Sequence, residues 1–291
     1  MNPRVVEALD GIDPAYVEDL VRRAVAEDLA GGVDVTSTAT VPPELRGTAA
    51  FVPRQHGVVA GLGAALAVLD VVVGEDLEVR SLGSDGQRAV PGEAVLEVTA
   101  PVRALLTAER TALNLLCHLS GIATLTRAWV EAVDGTGARI RDTRKTTPGL
   151  RLLEKAAVRA GGGVNHRMSL SDAALVKDNH VVAAGGVAAA FGAVRRQFPG
   201  LEVEVECDTV DQVREVVAAG ADLVLLDNMP PDQLREAVSI CRSRGVRTEA
   251  SGGLSLAGAR AVAETGVDYL AVGALTHSAP VLDLGLDLRE T

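Results

Sequence analysis

From about residue 137 the chain settles into a repeat of strand, loop and helix, and that rhythm limits its fold more than any other feature. Short apolar runs at 138–143, 174–177, 202–206, 223–227, 247–250 and 269–272 read as strands. Between them, 149–159, 187–198, 210–219, 231–244 and 256–264 carry helical periodicity. Alternating β and α elements imply parallel strands joined by right-handed crossovers. Six strands fall short of the eight of a closed (β/α)₈ barrel, so an incomplete barrel is expected. Each strand ends on a polar residue or a glycine: Arg144-Lys145, Lys177, Glu206, Asp227, Ser251-Gly252 and Gly273. In a parallel barrel those ends gather on one rim, where such folds place their chemistry.

The first 115 or so residues follow another pattern. Asp13-Pro14 is a helix start, an Asp cap followed by Pro at the first helical position, with Gly31-Gly32 as its stop. Apolar runs at 48–52, 77–81 and 94–98, set off by Ser84-Asp85-Gly86 and Pro91-Gly92, predict a small antiparallel sheet. The apolar run 58–73 contains Asp70 and is rich in Gly and Ala, which predicts a buried helix rather than a membrane span. Gly61-Leu62-Gly63 is no dinucleotide fingerprint, because Leu66 stands where the third glycine belongs. Residues 102–133 are helical, with a break expected near Ser120-Gly121.

Charge narrows the function. Residues 139–180 hold nine Lys/Arg against four Asp/Glu, a local +5 in a chain of net charge −11. A basic island in an acidic protein predicts a concave site for a multiply charged anion. With aromatics at 2%, the stacking platforms of a nucleic-acid binder are missing. Cys117, Cys207 and Cys241 lack metal-ligand spacing and predict free thiols; with no apolar core of a secretory signal in the first residues, a cytoplasmic protein is expected. Arg151, Lys155 and Arg159 recur at helical spacing and predict a solvated face. Glu202 and Glu204 share the side of the strand that carries Glu206 and are expected to face the barrel axis.

Several strings then point one way. Arg141-Asp142-Thr143-Arg144-Lys145-Thr146, Gly161-Gly162-Gly163-Val164-Asn165-His166-Arg167 and Lys177-Asp178-Asn179-His180 are followed in order by Leu226-Asp227-Asn228, Ala250-Ser251-Gly252-Gly253 and Val272-Gly273-Ala274-Leu275-Thr276-His277. Over nearly its whole length the chain resembles the quinolinate phosphoribosyltransferases, type II phosphoribosyltransferases. The resemblance implies an N-terminal α/β sandwich domain (1–115, rejoined by the C-terminal segment 279–291) and an incomplete α/β-barrel catalytic domain (116–278). It also implies a homodimer with sites shared across the interface, alone or within a higher oligomer, and no nucleic-acid or membrane partner.

The implied substrates are quinolinate and phosphoribosyl pyrophosphate, giving nicotinate mononucleotide, pyrophosphate and CO₂ in NAD synthesis. By resemblance, Arg110, Arg144, His166 and Arg167 hold the pyridine carboxylates. Lys145 and Lys177 lie between the substrates, and Arg54 is contributed across the dimer. Glu206 and Asp227 take the ribose hydroxyls and Mg²⁺; Ser251, Gly252, Gly273 and His277 take phosphate. Three alternatives stand beside this: a transferase acting on nicotinate or a related pyridine acid, a Schiff-base aldolase using Lys177, and a non-catalytic anion-binding module.

Overall fold

A computed structural model describes residues 1–290 of the chain. It divides into two compact units: Met1–Leu125 with Thr147–Gly162 and the C-terminal segment from Ser278, and Thr126–Thr146 with Gly163–His277.

The first unit opens with helices α1 (Pro3–Ala8), α2 (Pro14–Leu29) and α3 (Val35–Thr40). Asp13 caps α2 by accepting from the Ala15 N–H, with Pro14 in the first turn, as the sequence predicts. Then come β1 (Arg46–Pro53), β2 (Gly57–Val58), α4 (Leu62–Val73), β3 (Glu78–Leu82), β4 (Arg88–Ala89) and β5 (Leu96–Pro101). The expected antiparallel sheet forms in the order β12-β1-β5-β3, its outer strand supplied by the C-terminal β12 (Leu284–Glu290). α4 is the buried helix predicted from the apolar run, with every residue from Leu62 to Leu69 buried. Each fully buried leucine there contributes about 2 kcal/mol. Gly63 serves this packing, since a Cβ would stand 2.5 Å from the Ala8 carbonyl of α1. Among the described residues no helix is long and apolar enough to cross a membrane.

Helix α5 (Val102–Ala132) is continuous, and the expected break near Ser120-Gly121 is absent. Gly121 is small for another reason: the backbone of Pro280 and Val281 packs where its side chain would be. Helix α6 (Arg151–Ala160) also belongs to the first unit. The prediction that Arg151, Lys155 and Arg159 form a solvated face fails at Lys155, which is fully buried beside an equally buried Glu154. Glu154 is tied to His118 Nε2 at 2.8 Å and to the Thr147 N–H at 3.0 Å. Arg159, one turn on, is exposed as expected, so the burial is particular to Lys155.

From β7 on the second unit alternates as predicted, while the helix expected between its first two strands is α6 of the first unit: β6 (Arg139–Arg141), β7 (Ala174–Val176), α7 (Asp178–Ala184), α8 (Val187–Gln197), β8 (Val203–Cys207), α9 (Val210–Ala218), β9 (Leu223–Asp227), α10 (Pro231–Arg242), β10 (Arg247–Ser251), α11 (Ala259–Ala263), β11 (Tyr269–Ala271) and α12 (Ala274–His277). The six strands form one parallel sheet in the order β6-β11-β10-β9-β8-β7, an incomplete barrel whose edge strands do not pair. Leu223–Leu226 of β9 are all buried, as expected of a parallel strand covered on both faces. Glu202 departs from expectation: it precedes β8, stays half exposed and pairs with Arg247 at 2.8 Å. Glu204 does turn inward.

Candidate active site

The carboxyl ends of these strands open into a cavity of about 520 Å³. Arg144, Lys145, His166, Arg167, Lys177, Glu206, Asp227, Ser251 and Gly252 all line it. Gly273 and His277 stand beside Lys145: a Cβ on Gly273 would lie 2.9 Å from Lys145 Cδ and 3.3 Å from His277 Nε2. Arg54 and Arg110 belong to the first unit, where both are exposed. Arg54 is held there by two hydrogen bonds to Asp287, at 3.2 and 2.5 Å.

The cationic side of the mouth is built on the loop after β6. The Lys145 N–H donates to Thr143 Oγ1 at 3.1 Å, and the Lys145 carbonyl accepts from Thr276 Oγ1 at 2.8 Å. Facing it, the segment after Gly163 adds a short parallel bridge from Val164 to Arg141. Asp142, fully buried, accepts from the His166 N–H at 2.8 Å and from Asn165 Nδ2 at 2.5 Å. It thereby fixes the backbone that presents His166 and Arg167.

Arg167 donates from Nη1 to the Ala173 carbonyl at 2.8 Å. The Nε atoms of both Arg144 and Arg167 are buried without a protein acceptor. Burial first, and the neighbouring Arg144 charge second, push the Arg167 guanidinium below its ordinary pKa. Two crowded guanidiniums with unmet donors are matched by a planar ligand bearing carboxylates.

The acidic side lies on β8 and β9. Lys177 Nζ donates to Glu206 Oε2 at 2.8 Å, with the lysine half exposed. That is the reverse of the desolvated lysine a Schiff-base enzyme needs. Lys177 also precedes α7 directly and its backbone N–H donates to His180 Nδ1, so the Lys177–His180 string is a strand end that turns at once into a helix. Asp227 Oδ2 accepts from Asn228 Nδ2 at 2.6 Å. Asn228 has φ +51 and its N–H donates to the Ser251 carbonyl at 2.9 Å, locking the two strand ends together. Its side chain fills the space above Gly252, whose φ of +87 also favours glycine.

Below the mouth sits a polar layer that sequence reasoning only half found. Glu204 Oε2 lies 2.6 Å from His166 Nε2. Glu249 Oε2 accepts from Arg141 Nη1 at 2.9 Å, and Arg141 stacks on Tyr269 at 4.7 Å. Burial, above all, raises both carboxyls to about 7. Glu249 was missed although its phase shows it: it shares a strand face with Ser251, which opens on the mouth. The cysteines are free, and burial pushes Cys207 up to about 12 and Cys241 to about 11, so neither is a nucleophile.

Known proteins resemble this chain over most of its length. Residues 34–120 match the family model for the N-terminal domain of quinolinate phosphoribosyl transferase, and residues 122–287 match that for its C-terminal domain. The nicotinate-nucleotide pyrophosphorylase (carboxylating) of Mycobacterium leprae is 56% identical over 273 residues, 93% of this chain and 96% of that protein. A probable enzyme of the same name from Bacillus subtilis is 41% identical over 276 residues, 94% of this chain and 93% of its own length. Among solved structures, the nicotinate-nucleotide pyrophosphorylase of Francisella tularensis superposes with a TM-score of 0.91 at 37% identity, covering 97% of this chain and 99% of that one.

Proposed function

The chain belongs to the quinolinate phosphoribosyltransferase family, and from that premise we propose that its barrel mouth transfers phosphoribosyl from phosphoribosyl pyrophosphate to quinolinate, with loss of CO₂. One observation carries the reading: four cationic side chains, Arg144, Lys145, Arg167 and Lys177, share a single cavity with His166 and the carboxylates Glu206 and Asp227. A dicarboxylate and a polyphosphate brought side by side repel each other, and this charge offsets the repulsion. Arg144 and Arg167 take the pyridine carboxylates, with His166 beside them. Arg110, exposed on the first unit, is proposed as a further carboxylate ligand.

The reaction then needs little covalent help. The pyridine nitrogen forms its bond to C1 of the ribose as the C1–O bond to pyrophosphate breaks, through an oxocarbenium-like state. Lys145 and Lys177 stabilise the charge gathering on the departing oxygen. The cationic ring nitrogen next draws the electrons of the bond to the 2-carboxylate, CO₂ leaves, and the ring carbon takes a proton. The enzyme's part is alignment and fixed charge. Glu206 and Asp227 orient the ribose hydroxyls, and backbone N–H groups around Ser251, Gly252 and Gly273, with His277, hold the 5′-phosphate.

Magnesium belongs to the proposal. Two carboxylates lining one cavity are the donor set this ion takes beside substrate phosphates, so Glu206 and Asp227 would hold it. When bound it neutralises charge on the pyrophosphate. We further propose a homodimer in which Arg54 serves the partner's mouth, exchanging its bond with Asp287 for substrate.

Nicotinate is the second reading, with one carboxylate instead of two. The paired guanidiniums of Arg144 and Arg167 favour quinolinate. Incubating the protein with Mg²⁺, phosphoribosyl pyrophosphate and either acid decides between them. Nicotinate mononucleotide from quinolinate alone is expected; product from nicotinate alone would move the enzyme to salvage of the free acid.

A further inference from the structure

Beneath the mouth lies a carboxylate that the transfer as described does not use. Glu204, at the centre of β8, is 3% exposed. Its Oε2 meets His166 Nε2 at 2.6 Å, while its Oε1 is buried with no hydrogen-bond partner. Glu249 on β10 backs the same ring, its Oε1 3.9 Å from His166 Nε2, and is itself anchored by Arg141. Below them a second cavity of about 220 Å³ reaches the foot of β8 and is separated from the mouth by His166 and Arg167, which line both.

A carboxylate at this depth costs stability unless its oxygens are satisfied, and a well-packed apolar side chain would often do better. Glu204 leaves one oxygen unmet and gives the other to His166, which lines the mouth. An imidazole's orientation is set by the bond one of its nitrogens makes, which holds the ring in one pose.

We propose that Glu204 is a positioning residue for the acceptor: by gripping His166 Nε2 it fixes the imidazole against the mouth and so sets affinity for the pyridine dicarboxylate without touching it. The inference rests on the mouth being the quinolinate site. Glu204 is then specific to one substrate. The turn at Ser251 and Gly252, proposed for phosphate, lies at the end of another strand.

The test is steady-state kinetics of Glu204→Ala and Glu204→Gln, each alone and combined with His166→Ala, with both substrates varied. Glu204→Ala should raise KM for quinolinate about tenfold, the loss of one hydrogen bond to a charged group. KM for phosphoribosyl pyrophosphate should stay unchanged. Gln, which keeps an acceptor for Nε2–H, should recover most of the affinity. In the His166→Ala background the Glu204 change should cost nothing further. Equal rises in both KM values, a loss confined to kcat, or an undiminished effect without His166 would overturn the proposal. Should the Ala variant fail to fold, Glu204→Gln against the near-isosteric Glu204→Met makes the same comparison. Wild-type protein is measured first: failure to use quinolinate at all removes the functional reading and this inference with it, whereas normal turnover with an indifferent Glu204 removes the inference alone.

Discussion

Replacing Glu249 with Gln should change how the protein's stability depends on pH. Glu249 is 1% exposed, and burial, with repulsion from Glu204 next, raises its carboxyl from 4.5 to about 7. A carboxyl whose pKa is higher folded than unfolded binds more protons in the native state, so its contribution is complete below about pH 4.5 and is lost as pH rises through 7. A shift of that size corresponds to about 3 kcal/mol. Gln keeps an oxygen for Arg141 Nη1 and removes both the proton and the repulsion. Urea unfolding at pH 5, 6, 7 and 8 should therefore show the wild type losing most of that relative to the variant across the range, the two curves converging toward the acid end. Parallel curves would refute the claim that the barrel interior holds a strained carboxyl pair.

Other expectations bear on the mouth. Lys145→Ala and Lys177→Ala should each cut kcat by about a hundredfold with the circular-dichroism spectrum unchanged; rates near wild type in both would remove them from the chemistry. Gly252→Ala forces a Cβ into the Asn228 side chain at φ +87, so KM for phosphoribosyl pyrophosphate should rise while that for quinolinate holds. Mixing the inactive Arg54→Ala and Lys145→Ala proteins should restore part of the activity through hybrid dimers. No rescue, with subunit exchange verified, would place Arg54 outside the partner's site.

Much of the barrel could be read from the chain because each strand is an apolar run with a polar or glycine stop. The strand 223–227 agrees to the residue with β9, where Val and Leu fill both faces and Asp227 ends the run. What escaped depends on tertiary packing. Lys155 has the spacing of a solvated stripe, yet it alone of the three is fully buried, while Arg159 one turn on stays exposed. Gly121 reads as a helix breaker, but its missing side chain makes room for the 280–281 backbone. Asp142 stands in the Arg141–Thr146 string with no sign in the sequence that it pins the His166 loop. The mouth residues contributed by strand ends were legible from their positions after each run. The layer beneath them was not, since a carboxylate's partner across a barrel is set by register between strands distant in sequence. Glu204 to His166 spans 38 positions, and Arg141 to Glu249 spans 108.

The central claim is that one mouth joins phosphoribosyl transfer to decarboxylation. Quinolinate labelled with ¹³C in its 2-carboxylate, given to the purified protein with Mg²⁺ and phosphoribosyl pyrophosphate, tests it most directly. One labelled CO₂ for each pyrophosphate, and none when phosphoribosyl pyrophosphate is withheld, is the predicted result. Pyrophosphate without labelled CO₂, or CO₂ released in the absence of phosphoribosyl pyrophosphate, would contradict it.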